Sequence, residues 1–266
     1  MSVTPYKSAS RSTLVVIAAL SYTAFLTMVS ALVGLIAPLG RVMKVIERHW
    51  GMTMMKMVQA NVVVSGVENI DPGKTYIFIS NHQSLFDIPL MMAFTPKQLR
   101  MIFKKELLYV PVFGFVLWLL KFIPIDRGNR EKAIGSLHKA AQKIHGGINI
   151  VIYADGTRSL NGHLRPFKKG AFVLAIDAQV DIIPVTISGT IKILHKLQNM
   201  SDITFGQRVH LHFDPPISTA GLNPEDKDML KNTVAASIAQ SFESFKSYSI
   251  IDDVNLLQKV EQTRGS

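Results

Sequence analysis

The chain has 266 residues, with 29 Lys or Arg against 19 Asp or Glu and a net charge of +10. At 48% hydrophobic and 18% charged it is too apolar for a disordered basic tail, and long enough for one large domain or two small ones. The absence of Cys excludes disulfides, thiolate metal sites and a thiol nucleophile. The positive excess points to an anionic partner: nucleic acid, a phospholipid surface or a phosphorylated substrate.

No charged residue occurs from Ser12 to Gly40, and Leu14–Leu39 is an apolar run of 26 residues. A spanning helix needs about 20 such residues. The run exceeds the roughly 7–15 residues of a cleaved signal's apolar region, and it is apolar on all faces, unlike a helix buried on one side. Lys7 and Arg11 precede it; Arg41, Lys44, Arg48 and Lys56 follow. The excess after the run orients the body to the cytoplasmic face of the cell membrane. Basic residues on both flanks equally suit a re-entrant hairpin, with Pro38 near its exit. We therefore expect residues 1–58 to be a membrane-associated segment on anionic phospholipid.

Strands are predicted at Asn61–Ser65, Thr75–Ser80, Met101–Phe103, Ile123–Ile125, Ile148–Tyr153, Ile182–Ser188 and Val209–Phe213. Helices are predicted at Asp87–Phe94, Glu106–Leu120, Arg130–His145 and Gly170–Ala178, with a last one opened by Pro224 and running towards Tyr248. The alternation implies an α/β fold, a mostly parallel sheet flanked by helices, in one domain over 59–250, followed by a tail at 251–266.

The sharpest local feature is Ser80-Asn81-His82-Gln83-Ser84-Leu85-Phe86-Asp87, at the end of an apolar strand, where open α/β sheets place ligands. Asp87, five residues on, can turn back to one imidazole nitrogen of His82 and leave the other as a base for a substrate hydroxyl. The same pair also suits a capping loop in which both side chains satisfy backbone groups. Tyr153-Ala154-Asp155-Gly156-Thr157-Arg158-Ser159 follows another strand, with a glycine turn, hydroxyls and a guanidinium fork suited to phosphate. Pro124-Ile125-Asp126-Arg127 and Lys104-Lys105 close two more strands. In a parallel sheet these cations converge beside His82; singly, each is an ordinary solvated side chain.

The ordered combination resembles the glycerolipid acyltransferase family: Asn81-His82-(four residues)-Asp87, Ile125-Asp126-Arg127, Asp155-Gly156-Thr157-Arg158-Ser159, then Ile183-Pro184-Val185. Within it the likeness is greatest to the bacterial 1-acyl-glycerol-3-phosphate acyltransferases, over roughly residues 60–215. The resemblance implies an α/β acyltransferase domain. It also implies transfer of an acyl group from coenzyme A or acyl-carrier-protein to the sn-2 hydroxyl of lysophosphatidic acid, giving phosphatidic acid for phospholipid synthesis. By position, His82 is then the general base and Asp87 its orienting partner. Lys105, Arg127 and Arg158 hold the acceptor phosphate, Asp155, Gly156 and Thr157 shape or contact that site, and Pro184 shapes the cleft. Asp155 stands where the family usually has Glu, after Ala154 rather than Pro, and Lys121 where Gly is common; we expect Lys121 to face solvent.

The acyl thioester is a co-substrate, and the resemblance implies neither cofactor nor metal. His210 and His212 alternate on one strand and read as a polar strand face. His138, His145, His163 and His195 lack an acid at a telling spacing. Met52, Met54, Met55, Met57, Met91 and Met92 suit either an acyl-chain surface or ordinary core. The rival readings are an acyltransferase for another glycerolipid or lysophospholipid, and a non-catalytic membrane-peripheral lipid-binding protein. A nucleic-acid partner gives the apolar N-terminus no role. Since all four blocks begin after Ser80, removing residues 1–40 is expected to leave the cleft in place.

Overall fold

A computed structural model describes residues 5–126, 140, 141, 144 and 146–249. The chain opens with a short strand β1 (Tyr6–Lys7) and the 28-residue helix α1 (Ala9–Ile36), capped by the Ser8 hydroxyl. The helix stops before Pro38, and α2 (Arg41–Met57) folds back along it, with the Trp50 indole N–H donating to the Thr23 hydroxyl at 3.0 Å. The apolar run is one unbroken helix, and the turn lies after it, at Pro38. Helix α1 is long and apolar enough to cross a membrane, and Leu14, Leu20, Phe25, Met28, Leu32 and Leu35 lie exposed along it.

Strand β2 (Asn61–Ser65) leads to β3 (Ile77–Ser80), α3 (Asp87–Phe94), β4 (Leu99–Lys104), α4 (Phe113–Leu119) and β5 (Ile123–Ile125). The chain continues through β6 (Asn149–Tyr153), α5 (Gly170–Ala178), β7 (Ile182–Ser188), the one-turn α6 (Thr190–Ile193), β8 (Thr204–Phe205), β9 (Arg208–Phe213) and α7 (Lys227–Ser249). The expected strands are all present. The expected helix Glu106–Leu120 is not continuous: a 3₁₀ turn spans Lys105–Tyr109, and α4 starts only after Val112, at φ +61°. Pro111 has no N–H to continue the first turn and disfavours a helical Val110. Most of the expected helix Arg130–His145 lies outside the described residues, and so does the tail at 251–266.

The main sheet has the order β2-β9-β7-β3-β6-β4-β5. Strands β7, β3, β6, β4 and β5 run parallel; β9 is antiparallel to β7, and β2 runs with β9. Apolar side chains cover both faces, as a sheet buried on both sides requires. On one side Phe78, Val151, Val185 and Leu211 pack with Met43, Met55, Leu90, Met91 and Leu120. On the other, Ile77, Ile79, Ile150 and Ile182 pack with Phe172, Leu174 and, from α7, Leu230, Val234 and Ile238. The methionines divide: Met54, Met55 and Met91 are core, whereas Met92 faces a cavity described below.

The α1–α2 hairpin is tied to the sheet by a buried ion pair. Arg100 of β4 is fully buried and donates to Glu47 at 2.8 Å, to the Leu99 carbonyl at 2.6 Å and to the Pro38 carbonyl at 2.9 Å. Burial raises the Glu47 carboxyl above its ordinary range, opposed by Arg100. Gly51 lets α2 lie directly on α3, since a Cβ there would stand 2.5 Å from the Pro89 carbonyl oxygen. Lys121 is exposed, as expected, with φ +66°, a conformation that glycine adopts without strain. The face bearing His210 and His212 is covered rather than open. His210 is buried and stacks on Phe245 and Tyr248, and His212 contacts the Ser65 hydroxyl at 2.8 Å and Asp214 at 3.2 Å.

Candidate active site

The five parallel strands end on one edge, and the chemistry-bearing loops leave from there. β3 and β6 are paired so that Ser80 lies opposite Tyr153, which puts the His82 and Asp155–Ser159 loops side by side. Asn81 anchors the first loop to β7: its amide donates to the Ile187 carbonyl at 2.8 Å and accepts from the Ile187 N–H at 2.9 Å. Gln83 donates to the Gly162 carbonyl and Ser84 to the Leu194 carbonyl.

Asp87, the first residue of α3, is wholly buried. Its Oδ2 accepts the His82 Nδ1–H at 2.7 Å and the backbone N–H groups of Gln83 at 2.6 Å and Ser84 at 3.0 Å; its Oδ1 accepts the Thr190 hydroxyl. The carboxylate thus orients the imidazole and also closes the loop. Because a carboxylate only accepts, the Nδ1 proton is fixed and Nε2 keeps its lone pair. His82 is 17% exposed and lines a cavity.

The loop after β6 wraps the His82 peptide. Asp155 Oδ2 accepts the His82 N–H at 2.9 Å, and the His82 carbonyl accepts the Ser159 N–H at 2.8 Å. Asp155 is thus buried beside His82 and fixes the position of its peptide. Burial raises its carboxyl to about 7, opposed by the His82 N–H and reinforced by the Asp87 charge. The Tyr153 ring lies against the imidazole, with centroids 4.2 Å apart. Burial and the two carboxylates push the Tyr153 phenol well above its ordinary range, so it stays neutral.

Gly156 turns at φ +67°, and a Cβ there would meet the Lys168 side chain at about 3 Å. Thr157 accepts from Lys196 at 3.0 Å. Arg158 is partly buried within the field of Asp87. Two other expected site residues are placed differently. Lys105 donates to Asp126 at 2.6 Å, and the neighbouring Lys104 lines the cavity instead. Pro184 sits inside β7 opposite Ile79, away from the cavity. Its carbonyl accepts the Asp214 N–H at 2.9 Å, beside the Pro215-Pro216 connection. Arg127 lies outside the described residues.

The cavity measures about 900 Å³. It runs from His82, Ala154 and Gly156 between β4 and α4 (Phe103, Val116, Leu120) to the hairpin, where Leu26 and Ser30 of α1 and Ile46 and Trp50 of α2 close it. Since α1 forms part of the wall, the expectation that removing residues 1–40 leaves the cleft in place is corrected. A long apolar chain fits a space of this volume and lining. Sequence reading missed the stacking of Tyr153 on His82 and the hold of Asp155 on the His82 peptide. The strand-end position of Tyr153 becomes informative once β3 and β6 are known to pair.

A family model described as Acyltransferase matches residues 61–188. The 1-acyl-sn-glycerol-3-phosphate acyltransferase alpha of Mus musculus is 36% identical over 182 residues, covering 68% of this chain and 63% of the mouse protein. The Homo sapiens protein of the same name is 35% identical over the same shares. The matched stretch thus spans less than two thirds of these relatives. The crystal structure of the 1-acyl-sn-glycerophosphate (LPA) acyltransferase PlsC from Thermotoga maritima superposes with a TM-score of 0.70 at 26% identity, covering 89% of this chain and 98% of that one. Motif order, sheet topology and these similarities agree: over residues 61–188 the chain is similar to the acyltransferase family.

Proposed function

We propose that the protein transfers an acyl group from a coenzyme A or acyl-carrier-protein thioester to the sn-2 hydroxyl of 1-acylglycerol 3-phosphate, forming phosphatidic acid. The observation that carries this reading is the His82–Asp87 pair at the mouth of an apolar cavity of about 900 Å³, with Arg158 beside it. The relatives named above, curated as acting on this acceptor, support it. Nε2 of His82 takes the hydroxyl proton as the oxygen attacks the thioester carbonyl. The tetrahedral intermediate collapses with loss of the thiolate, which recovers the proton from the imidazolium. Asp87 steadies the imidazolium between the two steps, and the acyl chain of the donor occupies the cavity. The exposed apolar face of α1 lies in the membrane, on its cytoplasmic side, where the donor is soluble and the acceptor is a lipid.

The test is phosphatidate formation by purified protein with vesicle-borne lysophosphatidate and either carrier. Glycerol 3-phosphate and lysophosphatidylcholine serve as competing acceptors. Preference for lysophosphatidate, lost in His82→Ala, supports the proposal; equal or greater use of another acceptor overturns it.

A further inference from the structure

We propose that Lys196, with Arg158, binds the phosphate of the acceptor, completing an anion site that motif spacing does not reveal. The proposal rests on the activity proposed above and names a residue for it. Three hydrogen bonds deliver Lys196 to the reacting centre. The Leu194 carbonyl accepts the Ser84 hydroxyl at 2.8 Å, His195 contacts the Leu160 carbonyl at 2.7 Å, and Lys196 itself donates to Thr157 at 3.0 Å. The segment 194–196 is thereby fastened both to the loop that carries His82 and to the loop that carries Arg158.

The charges are arranged for an anion. Among the described residues no carboxylate forms an ion pair with Lys196, Arg158 or Arg165. Burial, together with the charges of Arg158 and Arg165, lowers the Lys196 ammonium from its ordinary range. Asp87 is the acid felt by Arg158, and it is already committed to His82, Gln83, Ser84 and Thr190. Cations gathered without a counter-charge carry a repulsion that a dianionic phosphate relieves. Thr157 occupies one of the three ammonium protons and leaves two for phosphate oxygens. Position agrees as well: the sn-3 phosphate and the sn-2 hydroxyl sit on adjacent carbons, so the phosphate site must lie beside the base. The loop 157–159 does so, since Ser159 is bonded to the His82 carbonyl.

The experiment compares wild type with Lys196→Met and Lys196→Arg in vesicles. It measures KM for lysophosphatidate, KM for the thioester, and inhibition by inorganic phosphate. The expected result for Lys196→Met is an acceptor KM and a phosphate inhibition constant both raised about tenfold or more, with the donor KM little changed and partial recovery in Lys196→Arg. A raised donor KM with an unchanged acceptor KM overturns the proposal by giving Lys196 to the donor's phosphates. No change in any of the three also overturns it, leaving Lys196 as a tie between loops. If Lys196→Met does not fold, Lys196→Gln and calorimetric titration of wild type with inorganic phosphate decide, and absence of binding at millimolar phosphate overturns the site. Failure of wild type to acylate lysophosphatidate is a separate outcome that sinks the activity, and the phosphate titration still tests the anion site.

Discussion

Tyr153 lies flat against the imidazole of His82, with ring centroids 4.2 Å apart and planes 16° from parallel. The imidazole is held at its edge by Asp87 and across its face by the phenol ring. A π face stabilises a cation by about 0.5–2 kcal/mol depending on solvation, so the ring favours the imidazolium that forms during transfer. Tyr153→Leu should lower kcat/KM about tenfold. Lys104, Lys168 and Arg158 also face this site and remain in both proteins, so their contribution cancels. Tyr153→Phe keeps the ring and removes a buried hydroxyl that has no hydrogen-bond partner among the described residues. It should retain activity within about twofold and lose no stability. Equal losses in both variants would assign the effect to the hydroxyl.

His82→Ala and Asp87→Asn should separate catalysis from folding. Loss of the base costs typically 10²–10⁴-fold in rate, with little change in melting temperature, because His82 contributes one side-chain bond. Asp87→Asn removes a buried carboxylate that accepts four donors. It should be as inactive and also destabilised by about 1–3 kcal/mol. Thermal melts beside initial rates check both.

Asp155 gives a pH signature. Its carboxyl titrates near 7 in the folded chain against an ordinary value of 3.8. Between these values the folded protein holds more protons than the unfolded one, so stability falls as pH rises from about 4 to 7. The cost is complete above 7, at most about 4 kcal/mol. Asp155→Asn keeps an oxygen for the His82 N–H and cannot ionise. The melting temperature of the variant should therefore gain on wild type across that window and stay level below it. A difference independent of pH would refute the assignment.

The Glu47–Arg100 pair should behave as a clamp on the hairpin. Arg100→Leu leaves Glu47 buried without a counter-charge, and breaking such a pair costs about 3–5 kcal/mol. Arg100→Met with Glu47→Leu removes both charges and should recover most of that loss. Unfolding in urea with all three proteins checks the order; a double variant no more stable than Arg100→Leu would refute the clamp.

Local signals and long-range contacts differed in how far they could be read. Asn61–Ser65, Ile123–Ile125 and Ile182–Ser188 are legible because apolar runs end at turn residues, and their observed bounds match. The His82–Asp87 relationship is legible because five residues of chain contain it. Asp155 and Tyr153 act on His82 across more than seventy residues, through a strand register that no local pattern specifies. Arg100 reads as one more strand residue until α2 brings Glu47 to it. The break at Pro111 and Val112 was present in the sequence as a proline inside an apolar run.

The clasp of the 155–159 loop around the His82 peptide has a consequence for anyone wishing to retune this protein. The His82 N–H donates into the loop and the His82 carbonyl accepts from it, so the loop cannot shift without dragging the imidazole along. Screens of this loop should return mostly slow variants. The 194–196 segment reaches the same place from outside through a side chain of its own, so a change at Lys196 leaves both bonds of the clasp in place.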